Sequence, residues 1–326
     1  MTFKMRLNTT VAALGRLTVG TALGLALVLA VVSPADAQVV APPVASDAPA
    51  LRVVPPAEGR GPALWVVKDA DSTLYLFGTV HLLRPTTGWG TDRVDAAFDS
   101  ASRVVLEISN PDDQAAVIPL VQQHGLSPTR PLSSLLNAEE VAALDAAAKT
   151  IGYSAAQLEP FRPWLAALTL AVAPLARAGY DPQSGVELIL KARAEAAGKP
   201  VTGFETIDEQ IRILAGFPEE AQLAFLRTTL EEFETATVDL DRLVEAWAAG
   251  DVEAIEAIGV QPMRESSEDL YQALLVRRNT NWADQIQTLL DGSGTVFIAV
   301  GAAHLAGDDG IQEILERRGV DVEVAQ

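Results

Sequence analysis

Short hydrophobic runs near both ends of the chain predict β-strands, and a long helical region lies between them. The first two runs are separated by the polar residues 69–72, which is typical of a hairpin. The third and fourth runs are almost wholly apolar, as strands buried inside a sheet are. These runs lie at residues 64–68, 73–77, 103–108, 295–300 and 320–324.

Between residues 114 and 258 the apolar residues mostly recur every three or four positions, which is typical of helices. A run at 199–203 predicts one strand inside this region. It is followed by Thr206 and Glu209, whose spacing forms a capping box that opens another helix. Further helices are predicted at 91–101, 267–290 and 310–318.

These elements predict an α/β fold, in which strands from the N- and C-terminal parts of the chain form one central sheet. The helical insert, about 114–258, is expected to cap a crevice at the carboxyl ends of the strands. The domain is predicted to cover residues 63–326. Residues 38–62 are rich in proline and alanine and lack periodicity, so they predict a flexible linker.

The first 37 residues have the pattern of a secretory signal peptide. Basic residues precede an apolar run at 17–32, and Ala35-Asp-Ala37 forms a small-x-small cleavage site. The alternative is an uncleaved membrane anchor, but the run is shorter than the about 20 residues that span a bilayer. We therefore expect a periplasmic or secreted protein that has no stable membrane association after cleavage.

The amino-acid composition excludes several kinds of partner and catalytic site. The chain carries 24 basic and 43 acidic side chains, a net charge of −19, which argues against nucleic acid as a partner. It has no cysteine, so thiolate metal sites and cysteine nucleophiles are excluded. Chemistry must therefore come from carboxylates, hydroxyl groups, the three histidines or a metal ion bound by nitrogen and oxygen.

Two of the three histidines occur in the same short motif, Gly-x-x-His, directly after a predicted strand. They are His81 and His304, and Glu107 ends a third predicted strand. If these strands are neighbours, the three side chains converge at the edge of the sheet. Two imidazoles and a carboxylate suit a divalent metal ion. They equally suit a metal-free acid–base set in which Glu107 orients an imidazole.

Three further residues are weaker candidates. Glu205 lies at a strand-to-helix junction, where a carboxylate either functions in the crevice or only favours the helix N-terminus. Arg278 and Asn279 belong to a basic segment that either binds a substrate carboxylate or pairs with nearby acids. The third histidine, His124, is predicted to lie on the surface at a helix end.

Together, these residues resemble the TraB/GumN family, whose animal relatives are the Tiki metalloproteases. The similarity runs from about Leu64 to the C-terminus, with one mild departure, Gly-Phe-Glu-Thr206 where the family usually has Gly-Leu-Glu-Thr. The resemblance implies an active site around both Gly-x-x-His histidines and the glutamate, and it extends to the erythromycin esterase-like and ChaN-like groups. The motifs are Leu-Phe-Gly-Thr-Val-His81, Leu-Glu107, Gly185-Val-Glu187, Gly-Phe-Glu205-Thr206, Arg278-Asn279-x-x-Trp282 and Gly-Ala-Ala-His304.

The sequence thus leads to the hypothesis of an exported, metal-dependent hydrolase that acts on a peptide or a related small acyl substrate. His81, His304 and Glu107 are expected to hold Mn²⁺, Co²⁺ or Zn²⁺. Glu205 is a general base or a further ligand, and Arg278 with Asn279 stabilises an oxyanion or binds a substrate carboxylate. The alternatives are a non-catalytic protein that sequesters a peptide or signal, and a metal-independent, esterase-like hydrolase with histidine as the base.

Overall fold

The fold comes from a computed structural model that describes residues 52–325. The predicted signal peptide, residues 1–37, and the first part of the predicted linker lie outside the described residues. In the part that is described, no helix combines the length and the apolar character that crossing a membrane requires.

Six strands form one mixed sheet in the order β4-β3-β5-β2-β1-β6. The four strands β4, β3, β5 and β2 run parallel, whereas β1 is antiparallel to both β2 and β6. The fold class predicted from the sequence, an α/β protein with a sheet of N- and C-terminal strands, is confirmed. The strands are β1 Leu64–Lys68, β2 Ser72–Thr79, β3 Arg103–Ile108, β4 Val201–Glu205, β5 Gly294–Gly301 and β6 Val322–Val324.

The parallel arrangement explains how distant parts of the chain meet. In the register of β2 and β5, Thr79 lies opposite Gly301, and in that of β3 and β5, Leu106 lies opposite Ala299. The carboxyl ends of these three strands therefore reach the same edge of the sheet. Each end continues into one of the predicted site residues, so the sheet itself brings those residues together.

Helices cover both faces of the sheet. On one face the insert packs into a large hydrophobic core, and on the other Arg277–Leu290 and Ile311–Arg317 contribute to a smaller one around Trp282 and Ile298. The longer helices of the described residues are Asp92–Ser100, Gln114–Gly125, Ala138–Thr150, Pro163–Arg177, Val186–Ala196, Ile207–Ala215, Glu219–Glu231, Ala236–Ala249, Arg277–Leu290 and Ile311–Arg317.

The helix predicted as continuous over 267–290 is interrupted, which corrects that prediction. Glu268–Tyr271 and Arg277–Leu290 are α-helical, but Gln272–Val276 between them is a π-helical turn. In this turn the Arg277 N–H bonds to the Gln272 carbonyl, five residues back. Such turns are frequent at functional sites, and this one directly precedes Arg278.

Residues at the end of the predicted linker contact the domain. Pro55 accepts hydrogen bonds from the N–H groups of Trp89 and Gly90, each 3.0 Å long. Arg52 donates to the Ser184 hydroxyl at 2.7 Å and to Asp181 at 3.1 Å. These bonds attach the segment that begins at Arg52 to the folded domain, so this part of the predicted linker is in contact with it.

Candidate active site

Both Gly-x-x-His motifs leave their strands through tight backbone contacts. A Cβ atom at Gly78 would lie 3.1 Å from the Ala302 Cα atom, because the two turns pack directly against each other. The Gly78 carbonyl also accepts a 2.8 Å hydrogen bond from the Trp247 indole. His304 follows on a 3₁₀ turn, Ala302–Leu305. A side chain at Gly78 would therefore be too close to the second turn, whereas the backbone conformation there does not itself require glycine.

His81 forms a buried pair with Glu187. Its Nδ1 atom lies 2.7 Å from Glu187 Oε1. This close contact is a charge pair whose geometry falls outside that of a hydrogen bond, and the other ring nitrogen, Nε2, is buried without any partner among the described residues. Burial by itself lowers the pKa of His81, but the carboxylates of Glu187 and, more weakly, Glu107 raise it above its usual value. The ring is thus an unusually basic imidazole with one nitrogen available.

The backbone places Glu187 beside His81. Glu187 lies in the first turn of helix Val186–Ala196, and the Val186 N–H donates to the Val80 carbonyl at 3.1 Å. A Cβ atom at the preceding residue, Gly185, would lie 2.6 Å from the His81 carbonyl oxygen. The helix N-terminus can approach the His81 turn this closely because residue 185 has no side chain.

His304 has the same motif but different surroundings. Its Nδ1 atom lies 2.5 Å from Asn279 Oδ1, and Asn279 donates its amide N–H to the Asp309 carbonyl at 2.7 Å. That second bond orients the amide, so Nδ1 must carry the hydrogen. The Nε2 atom lies 3.0 Å from Arg278 Nη1, which can only donate. His304 is therefore neutral, with both ring nitrogens in hydrogen bonds.

The pKa of His304 agrees with this assignment. Burial and the neighbouring positive charge of Arg278 lower its pKa to about 3, although Glu107 opposes the shift. The ring also packs on Trp282, with 4.4 Å between ring centroids. His304 is consequently a fixed, uncharged part of the site at any pH above about 4.

Glu107 is a buried carboxylate with three hydrogen-bond donors. The Gly301 N–H donates to Oε1 at 2.7 Å, while Arg278 and Gln210 donate to Oε2 at 2.7 and 3.2 Å. Burial favours the neutral acid, but Arg278 outweighs it, with help from the two histidines, and lowers the pKa of Glu107 to about 2. Glu107 is therefore ionised, and both of its carboxylate oxygens accept hydrogen bonds.

Arg278 connects these groups, and each of its three nitrogens donates at least one hydrogen bond. Its Nε donates to Glu205 at 2.9 Å, its Nη2 to Glu107 and its Nη1 to the Leu274 carbonyl at 3.0 Å as well as to His304. Burial raises the pKa of Glu205, and the positive charge of Arg278 opposes that shift. Pairing with nearby acids thus occupies Arg278. We call Arg278, Glu107, Glu205, His304 and Asn279 the Arg278 cluster.

The arrangement does not fit an ion shared by His81, His304 and Glu107. Among residues 52–325, no group of three or more His, Asp or Glu side chains is arranged to hold a metal. A cation at His304 Nε2 would have to displace the Arg278 guanidinium, which lies 3.0 Å away and also neutralises Glu107. The predicted metal ion stays a prediction, and of its three predicted ligands His81 alone has a ring nitrogen without a partner among the described residues.

Sequence reasoning assigned no role to several groups of this site. Glu187 resembles a favourable charge at a helix N-terminus, and its partner lies far away along the chain. Gln210 and Asp309 look like ordinary surface residues, and Thr79, whose buried hydroxyl has no partner among the described residues, looks like a strand residue. His124 is partly buried at a helix end, and its Nε2 atom lies 3.9 Å from Asp208.

The fold and the paired histidines define an α/β protein with a cluster of buried ionisable side chains at the carboxyl edge of its sheet. The chain matches the TraB/PrgY/gumN family over residues 63–324 and belongs to it.

Its similar relatives have no assigned activity. An uncharacterized protein of Treponema pallidum is 23% identical over 263 residues, which cover 76% of this chain and 77% of that protein. The uncharacterized protein YbaP of Escherichia coli is 23% identical over 243 residues, 74% of this chain and 87% of YbaP. No solved structure matches this chain.

Proposed function

We propose that this chain is an exported hydrolase that cleaves a peptide or related acyl bond by acid–base catalysis, with His81 as the base. One observation carries most of the proposal: His81 has a carboxylate on Nδ1, a raised pKa and a buried Nε2 without a partner. A carboxylate–histidine pair of this kind is the usual general base of hydrolytic enzymes. Export rests on the signal peptide pattern of residues 1–37.

In this mechanism, His81 Nε2 removes a proton from a water molecule while the water oxygen attacks the scissile carbonyl carbon. Glu187 stabilises the imidazolium that forms and keeps the hydrogen on Nδ1. When the bond to the leaving group breaks, Nε2 returns the proton to the departing amine or alcohol. Water is the only co-reactant, and the products are a carboxylic acid and the free amine or alcohol.

The Arg278 cluster has a positioning role in this proposal. Its hydrogen bonds lock His304 and Glu107 in single protonation states, so neither competes with His81 for the proton. Its positive charge also limits how far the carboxylates raise the pKa of His81. A general base must be unprotonated to act, and the positive charge of the cluster favours that neutral form of His81.

The proposal is tested by His81→Ala in the purified protein, assayed against a library of peptides and acyl esters. We expect turnover to fall by about 10²- to 10⁴-fold, the usual contribution of a general base. His124→Ala is the matched control, because it removes a histidine outside the site, and it should keep wild-type rates. Wild-type turnover in His81→Ala would contradict the proposal, as would peptides that bind and are always recovered uncleaved, which is the behaviour of a sequestering protein.

A metal-dependent version of the reaction is the second candidate. Histidines that bind metals also commonly have a carboxylate on their other nitrogen, as His81 does. Against it stands Arg278, which occupies His304 and Glu107. Turnover that is unchanged after dialysis against a chelator supports the metal-free reaction. Turnover that is lost on dialysis and restored by Mn²⁺, Co²⁺ or Zn²⁺ supports the metal-dependent one.

A further inference from the structure

A groove of about 640 Å³ lies next to the Arg278 cluster. It shares two of its lining residues, Glu205 and Arg278, with that cluster. Phe204, which also lines it, directly precedes Glu205, the last residue of strand β4, so the groove opens at the same carboxyl edge of the sheet as the proposed active site. A molecule that occupies the groove therefore contacts the wall of the active site directly.

Most of the groove's uncharged lining is apolar. Phe204 is buried and stacks on Trp282, with 5.5 Å between ring centroids, while Ile213 and Phe217 are partly exposed. Pro218 and Ala273 complete this surface. Apolar surface that is concave and partly exposed binds an apolar group of a ligand, because the ligand then displaces water.

The charged residues of the groove differ in whether they already have partners. Glu205 pairs with Arg278, Glu209 accepts from Thr206 in the capping box, and Arg212 pairs with Asp208 at 2.6 Å. The exposed side chains of Asp269 and Arg277, which also line the groove, have no hydrogen bond or ion pair with any of the described residues. Arg277 is therefore the arginine of the groove that is free to bind an anion, in a chain whose net charge is −19.

We propose that this groove, which we call the Arg277 groove, selects substrates that have an apolar terminal residue and a free carboxylate. The carboxylate binds the Arg277 guanidinium, and the apolar side chain packs on Phe204, Ile213 and Phe217. The inference deepens the proposed hydrolase, on which it rests for calling the ligand a substrate. It names the substrate class as peptides, or acyl-amino acids, with an apolar C-terminal residue.

The test measures binding without turnover. N-acetyl-alanyl-phenylalanine and its C-terminal amide are titrated into His81→Ala by calorimetry. We expect the acid to bind about threefold to tenfold more tightly than the amide, the range of an exposed ion pair that is partly desolvated. In the double variant that carries both His81→Ala and Arg277→Gln, this preference for the acid over the amide should disappear. N-acetyl-alanyl-alanine should bind more weakly than the phenylalanine peptide, since it fills less of the apolar surface.

Arg212→Gln, also in the His81→Ala background, is the matched control. It removes the same charge from the same groove, but from an arginine that already has a partner, so the preference for the acid should stay. The inference would be overturned if the acid and the amide bound equally well, or if both arginine variants lost the preference for the acid to the same extent. It would also be overturned if neither peptide bound at millimolar concentration. Binding as predicted without cleavage by the wild-type protein would contradict the hydrolase alone. Cleavage that prefers the amidated peptide would contradict the Arg277 groove alone.

Discussion

The two Gly-x-x-His turns have the same local sequence and end neighbouring parallel strands, yet their histidines differ in charge and in contacts. His81 has a raised pKa and a free Nε2, whereas His304 has a pKa of about 3 and both nitrogens in hydrogen bonds. The partners cause the difference. Glu187 contacts the first ring, and Arg278 and Asn279 contact the second.

The comparison teaches that a motif fixes where a histidine lies but not what it does. The position of each histidine follows from its strand and glycine turn, which are local in sequence. The protonation state of each histidine follows from charged side chains that are distant in sequence. Duplicate motifs therefore do not imply duplicate roles. In the proposed mechanism, His81 is the base and His304 is a neutral positioning residue.

The largest expected effect comes from removing the charge that keeps His304 neutral. Arg278→Met leaves Glu107 and Glu205 buried without their counter-ion, which should lower the free energy of unfolding by about 3–5 kcal/mol. Urea unfolding measures this free energy. Arg277→Met replaces the exposed neighbour on the same helix, and it should change the free energy of unfolding by only about 0.5 kcal/mol. A loss below about 1 kcal/mol in Arg278→Met would show that the cluster does not depend on this arginine.

Next in size is the effect of Glu187 on the base. A general base acts only when unprotonated, so the rate falls as the pH drops through the pKa of His81. Glu187→Gln removes the nearest negative charge and should shift this acid limb of kcat/KM to lower pH. It should also slow the reaction by about tenfold or more, because the imidazolium loses its partner. Glu195→Gln, on the exposed face of the same helix, should leave the pH profile unchanged. If the acid limb does not move in Glu187→Gln, then Glu187 does not raise the pKa of the base, which contradicts the prediction.

A third effect separates the two histidines by the sign of their contribution to stability. The folded pKa of His304, about 3, lies below its usual 6.5, so the unfolded chain binds the proton first and stability falls as the pH drops from about 6.5 toward 3. The raised folded pKa of His81 acts in the opposite direction. Its contribution is complete below about 6.5 and is lost as the pH rises through the folded value.

Urea unfolding between pH 4.5 and 8 measures both contributions. His304→Gln should flatten the decline between about pH 6.5 and 5.5, which lies above the range in which Glu107, with a usual pKa of 4.5, contributes. His81→Gln should flatten the decline above about pH 6.5. The same slope change in both variants would contradict the distinction between the two rings.

Much of this fold follows from patterns within single segments. The strand runs and the Gly-x-x-His turns were predicted because alternating or continuous apolar residues and glycines are local signals. The π-helical turn at Gln272–Val276 has no such signal, so the sequence predicted a regular helix there. Arg278 was a candidate, but its bond to Glu107 joins residues 171 positions apart and depends on packing that no local pattern contains. Glu187 was named only as part of a family motif, and its contact with His81 was missed for the same reason.

The most direct test of the difference between the two histidines is a titration of the imidazole nitrogens by NMR. The protein is labelled with ¹⁵N-histidine, its three histidines are assigned with the variants His81→Ala, His124→Ala and His304→Ala, and the pH is varied from 4 to 9. We predict that His81 titrates above its usual pKa of 6.5, while His304 stays neutral with its hydrogen on Nδ1 throughout. A titration of His304 near 6.5, or a common pKa for both rings, would contradict the account.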